Sequence, residues 1–80
     1  MLMRAKKPKL ELAACAQALQ NTTIESSISR LEELIEEGNL HLAELREAVH
    51  CNPLQINALA HRIDRAEELL KRKIMLSEKR

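Results

Sequence analysis

The chain has 80 residues, of which 45% are hydrophobic and 31% charged, with one Gly, two Pro and no aromatic residue. A chain this short forms one small domain and cannot enclose a deep substrate pocket while keeping a core of its own. Without aromatic rings it offers no stacking platform for bases, and its net charge of +1 gives no overall attraction to nucleic acid or membranes. This composition favours long amphipathic helices, so we predict a single all-α domain over residues 1–80.

The N-terminal segment carries four cations and no acid over residues 1–9, and we predict a basic flexible arm over 1–8. A basic segment followed by an apolar one is typical of a secretory or lipoprotein signal. Here Glu11 interrupts the apolar segment, which falls short of the ~7–15 residues that such a signal needs. No stretch approaches the ~18 apolar residues of a membrane span. Two widely separated cysteines, Cys15 and Cys51, fit a reducing compartment, and we expect a cytoplasmic protein.

Two helices are predicted before residue 51. The first covers 9–20, where alanines favour helix and small side chains bury little area. The second covers 23–50, because Thr22 and Glu25 have the spacing of a capping box. Gly38 either caps this helix or lies inside it at a bend; we favour a continuous helix because the apolar repeat keeps its phase across the glycine. That seven-residue repeat, typical of a coiled coil, consists of Ile24, Ile28, Leu31, Ile35, Leu42, Leu45 and Val49.

The third predicted helix covers 53–76. Asn52 is expected to cap it, with Pro53 in the first helical position and Gln55 three residues after the cap. The short connection predicts that the second and third helices form an antiparallel hairpin, preceded by the short first helix. The third helix presents Ile56, Leu59, Ile63, Ala66 and Leu70 to this seam. The predicted hairpin core therefore comprises Ile28, Leu31, Ile35, Leu42, Leu45, Val49, Ile56, Leu59, Ile63 and Leu70.

Charge supports the same pairing. Residues 25–47 contain seven acids and two bases, whereas residues 62–80 contain seven bases and four acids. Within the third helix, Glu67–Lys71 and Glu68–Arg72 have the spacing of i,i+4 ion pairs. Beside the seam lies a second apolar strip, which either packs under the first helix or forms an interface. We expect its partner-binding residues to be Leu34, Leu69, Ile74 and Leu76.

No constellation for catalysis or metal binding is present, and we expect neither an enzyme nor a cofactor. The histidines at 41, 50 and 61 lack metal-ligand spacing with Cys51 and are expected to be solvated or half-buried. A cysteine nucleophile would need an orienting group and a dry pocket that a hairpin does not supply. Glu32, Glu33, Glu36 and Glu37 are interpreted as a solvated helix face. Nucleic-acid binding through the basic arm and residues 71–73 is disfavoured by the long acidic second helix.

Three segments carry a resemblance to a known family: Ile28-x2-Leu31-x3-Ile35, the turn Cys51-Asn52-Pro53, and Ile56-x2-Leu59-x3-Ile63-x2-Ala66. In size, charge and hairpin layout the chain resembles the small helical-hairpin co-chaperones of type III secretion needle subunits. The resemblance implies a cytoplasmic protein of a virulence apparatus. It also implies that this protein binds a larger helical-repeat chaperone and helps to keep a filament subunit unpolymerised. The alternative is a self-associating adaptor, in which two hairpins dimerise into a four-helix bundle through the same strip.

Overall fold

The computed structural model describes residues 8–48, 50 and 52–78. Over these residues the chain forms three helices and no strand: α1 (Leu12–Gln20), α2 (Ile28–Glu47) and α3 (Pro53–Glu78). The all-α prediction is confirmed. Among the helices of these segments, none combines the length and the apolar character that crossing a bilayer requires. The predicted basic arm, except for Pro8, lies outside the described residues.

The first helix begins at Leu12, three residues later than predicted. Its N-cap, Glu11, has φ −67° and ψ 155°, an extended conformation. Before this cap, the backbone N–H groups of Lys9 and Leu10 donate to the Glu37 side chain on α2 and are not part of a helical turn. This tertiary contact keeps residues 9–11 out of the helix, against the helical pattern of the sequence.

The second helix begins at Ile28, so the predicted start at residue 23 is wrong. The Thr22 hydroxyl is buried and donates to the Leu19 carbonyl at 2.6 Å, which closes α1. Ser27 caps α2 in its place, because its hydroxyl accepts from the Arg30 N–H at 3.1 Å. Ile24 therefore lies in the turn before α2 and is 45% exposed.

The α2 helix ends at Glu47 rather than residue 50. Ala48 already has an extended backbone, with φ −65° and ψ 140°, while its N–H still bonds to the Glu44 carbonyl. The predicted seam residue Val49 lies outside the described residues.

At Gly38 the helix is continuous, as predicted, and the residue is buried. A Cβ placed there would lie 2.9 Å from Ile63 Cγ1 of α3 and 3.1 Å from Leu19 Cδ1 of α1. The missing side chain therefore lets both neighbouring helices approach the α2 backbone. Glycine is needed here for space, since its backbone has an ordinary helical conformation.

The start of α3 agrees with its sequence signal. Asn52 Oδ1 accepts from the Leu54 N–H at 3.0 Å, and Pro53 occupies the first helical position. The helix continues to Glu78, two residues past the predicted end.

The core lies where the three helices meet and includes more of α1 than predicted. Cys15 and Leu19 of α1 are fully buried, although that helix was expected to bury little. Among the predicted hairpin-core residues, Ile28 is half-buried, while Ile35, Leu45, Ile56 and Leu70 are half-buried and packed against the core. The buried apolar residues are Cys15, Leu19, Leu31, Leu34, Leu42, Leu59, Ile63 and Ala66.

Replacing Gly38 with alanine should destabilise the protein, although alanine is the better helix former. The added Cβ collides with the stiff Ile63 side chain, and such overpacking costs roughly 1–3 kcal/mol. The higher helix propensity of alanine offsets at most about 1 kcal/mol of this loss in folding free energy. We expect urea unfolding to show a net loss of about 1 kcal/mol for Gly38→Ala and more for Gly38→Val.

Asn39→Ala is the matched control, because Asn39 is the exposed neighbour on the same helix. This variant should be neutral or slightly stabilising. Equal stabilisation of Gly38→Ala and Asn39→Ala would show that the three helices do not need the close approach.

Candidate interaction surface

A buried carboxylate on α2 fixes the segment before α1. Glu37 is only 6% exposed. Its Oε1 accepts from the Lys9 N–H at 2.6 Å and from the Leu10 N–H at 2.8 Å. Both donors are backbone groups that precede α1 and have no intrahelical acceptor, so one oxygen satisfies two of them.

A histidine one turn further along α2 completes this contact. His41 is 7% exposed, and its Nε2 lies 2.6 Å from the Leu10 carbonyl oxygen. Because a carbonyl oxygen only accepts, Nε2 carries the proton and donates. Nδ1 faces the Glu44 carboxylate at 3.6 Å. Together, Glu37 and His41 bind both the N–H and the C=O of Leu10.

The expectation of a solvated face is wrong for Glu37, and His41, which was expected to be solvated or half-buried, is buried. Glu37 and His41 occupy positions three and seven residues after Leu34, so they continue the buried stripe that Leu34 begins. That stripe was the one sequence signal for their burial. Their partners are backbone groups 27–31 residues away, which carry no signature in the sequence.

The Cys15 thiol lies within the same packed region. Burial raises the pKa of Cys15 above its ordinary value, and the Glu37 carboxylate charge raises it further, while the Arg30 guanidinium opposes this by lowering it. The thiol is therefore held neutral, which disfavours a nucleophilic or redox role.

Apolar side chains are exposed at one end of the molecule, and we call Ile24, Met75 and Leu76 the end patch. These side chains are 45%, 58% and 64% exposed, and they line one groove together with Arg72. Lys73 joins the turn to α3, because its Nζ donates to the Ile24 carbonyl at 2.8 Å. Ile28 and Leu76 line an adjacent groove. The end patch is thus a continuous apolar surface with cations beside it.

Two of the four predicted partner-binding residues do not reach the surface freely. Leu34 is 1% exposed and belongs to the core, so its placement on an open strip is wrong: α1 and the turn after it cover this side of α2. Leu69 is half-buried against the core.

The other two, Ile74 and Leu76, are exposed but are not neighbours. They are two positions apart on α3, so their side chains point in directions about 160° apart around the helix axis. The sequence interpretation missed Ile24 and Met75. Met75 could have been found from the Arg72, Met75, Leu76 spacing of i, i+3, i+4, which places the three on one face.

Within the described segments, His, Cys, Asp and Glu side chains form no group of three or more that could hold a metal ion. His50 and His61 are exposed. The expectation that His50 and Cys51 form no metal site stays a prediction, because Cys51 lies outside the described residues.

Glu37→Ala should destabilise the protein and release residues 9–11. Two part-buried backbone N–H groups would lose a charged acceptor, which costs about 2 kcal/mol. Hydrogen exchange should show the Lys9 and Leu10 amides losing protection, and urea unfolding should give the stability change. Glu32→Ala, on the exposed face of the same helix, is the control and should alter neither quantity.

Cys15 should make stability decrease at alkaline pH. Because the folded-state pKa is raised, its stabilising contribution is present below the ordinary thiol pKa and is lost as pH rises through the folded value. The wild type should therefore lose more stability than Cys15→Ala between pH 7 and about pH 10. Parallel urea melts at both pH values measure this; an identical loss in the two proteins would show that the thiol ionises freely in the fold.

Comparisons with protein-family models, curated proteins and solved structures find no match for this chain.

Proposed function

We propose that this protein is a cytoplasmic, non-enzymatic interaction module that binds a helical partner protein through the end patch. The observation that carries this proposal is the exposed cluster of Ile24, Met75 and Leu76. A small protein with a well-satisfied interior has no need of adjacent exposed aliphatic side chains, and such patches are typical of interaction sites. Within the described residues, every buried side-chain polar atom has a hydrogen-bond partner, so the interior is well satisfied without a ligand.

We also propose that α2 and α3 are arranged as an antiparallel hairpin. The middle of α2 contacts the middle of α3 through Gly38 and Ile63. The start of α2 shares a groove with the end of α3 through Ile28 and Leu76. From the first contact to the second, the residue number decreases on α2, from Gly38 to Ile28, and increases on α3, from Ile63 to Leu76. This supports an antiparallel arrangement of the two helices.

The more specific proposal is a co-chaperone of the type III secretion kind. In that role the chain would bind a larger helical-repeat chaperone, and the pair would keep a filament subunit unpolymerised. All the described elements are helical, so the chain has no strand edge there to pair with a partner's backbone. Its exposed side chains instead suit helix-on-helix packing, by which a chaperone for amphipathic filament helices would be stabilised.

Leu76→Glu should weaken this docking about 30-fold and leave the fold intact. The side chain is 64% exposed, so a charge there costs little folding free energy but prevents apolar packing. A central interface residue of this kind is worth about 2 kcal/mol, or about 30-fold in affinity. Calorimetric titration with the helical-repeat needle chaperone of the same organism, and circular dichroism for helicity, measure the two effects.

Leu54→Glu provides the control, because Leu54 is 79% exposed at the opposite end of α3. It should retain wild-type affinity and helicity. Equal weakening by the two variants, or full binding by Leu76→Glu, would overturn the end patch as the docking surface. Light scattering of the chain alone tests the alternative of self-association.

A further inference from the structure

The cations next to the end patch indicate what kind of partner it takes. From Leu69 to Ser77 the sequence contains three bases, Lys71, Arg72 and Lys73, and no acid. Lys71 lies four residues before Met75, and Arg72 lies four residues before Leu76, so each is the neighbour of a patch residue on the helix surface. Both side chains are exposed.

These two cations are not neutralised within the described part of the chain. The predicted ion pairs Glu67–Lys71 and Glu68–Arg72 do not form there, whereas Arg30 and Glu33 do form an ion pair. Lys73 differs from its two neighbours, because its ammonium group is bound to the Ile24 carbonyl. On the facing turn, Glu25 is the one acid among residues 23–28. The surroundings of the end patch therefore carry a net positive charge.

This charge decides between two occupants. In a symmetric dimer centred on the end patch, the same patch of each copy takes part, so the positively charged surroundings of one copy would face those of the other. Like charges brought together at an interface oppose association. A partner that brings carboxylates to Lys71 and Arg72 gains complementarity at the same positions.

We infer that the end patch binds an amphipathic helix of another protein whose apolar stripe is flanked by Asp or Glu. This inference rests on the proposed function, since it specifies the partner of the same surface. The aliphatic side chains of Ile24, Met75 and Leu76 take up the apolar stripe. Lys71 and Arg72 pair with the flanking carboxylates, which fixes the orientation of the helix and speeds association.

A displayed library of amphipathic helices tests the inference with the full chain as the labelled target. Each helix has about 18 residues, or five turns, and a constant leucine stripe, with Glu, Gln or Lys at the flanking positions. We expect Glu-flanked helices to bind about tenfold more tightly than Lys-flanked ones at low salt, through two charge pairs at the rim. In 1 M salt this preference should disappear.

Two variants show whether Lys71 and Arg72 cause the preference. Lys71→Gln/Arg72→Gln should bind all three classes of helix equally, and Lys71→Glu/Arg72→Glu should prefer Lys-flanked helices. Circular dichroism confirms that both variants fold. Leu76→Glu should bind every class of helix about 30-fold more weakly, and Leu54→Glu should behave as the wild type.

The possible outcomes separate the inference from the proposed function. Binding without charge preference, still weakened in Leu76→Glu, would overturn the acidic partner and keep the docking surface. No binding by any helix would overturn both. A dimer in light scattering that dissociates in Leu76→Glu, but not in Leu54→Glu, would show that a second copy covers the end patch and would overturn the inference.

Discussion

The close approach of three helices at Gly38 is the constraint on which the rest of the structure depends. Ile63 and Leu19 both reach the position that a Cβ would occupy there, so α1 and α3 contact the same turn of α2. A side chain at this point would hold at least one of them away. The close approach explains how α1, a nine-residue helix with mostly small side chains, stays packed against the other two helices. Its Cys15 and Leu19 side chains are fully buried between them. It also makes α2 the central element, since its buried face must serve two neighbours.

Serving two neighbours requires a wider buried face than a two-helix seam, and this places polar side chains inside the protein. The buried residues of α2 extend from the Leu31 side of the helix across Leu34 to Glu37 and His41. Burying a carboxylate and an imidazole is unfavourable unless each is hydrogen-bonded. Here the backbone groups before α1, which have no partner within that helix, form hydrogen bonds with Glu37 and His41. The same bonds fix residues 9–11 and so set where α1 begins. The position of α1 and the burial of Glu37 and His41 therefore depend on the same hydrogen bonds.

The parts of this fold that could be predicted are those set by neighbouring residues. The start of α3 was predictable because Asn52 and Pro53 act on the first turn that follows them. The start of α2 was not, because the Thr22 hydroxyl bonds back to α1, and both uses of Thr22 have similar local spacing. The role of Glu37 depends on a backbone segment 27 residues away, which no local pattern encodes. For the same reason the candidate site was only half predictable: Leu76 follows from the α3 pattern, whereas Ile24 joins it only through tertiary folding.

The position of the end patch follows from unequal helix lengths. Counting from the Gly38–Ile63 contact, α2 extends ten residues back to Ile28, whereas α3 extends fifteen residues forward to Glu78. With the two helices antiparallel, as proposed, α3 extends past the start of α2 by five residues, or about 7 Å. At the other end, α2 has nine residues to Glu47 and α3 has ten back to Pro53, so the helices match there. The last turn and a half of α3 therefore extends past the start of α2, where Leu76 still shares a groove with Ile28, and the turn at Ile24 covers only part of it. An apolar helix end that continues beyond its own core has its packing surface available for a helix from another protein.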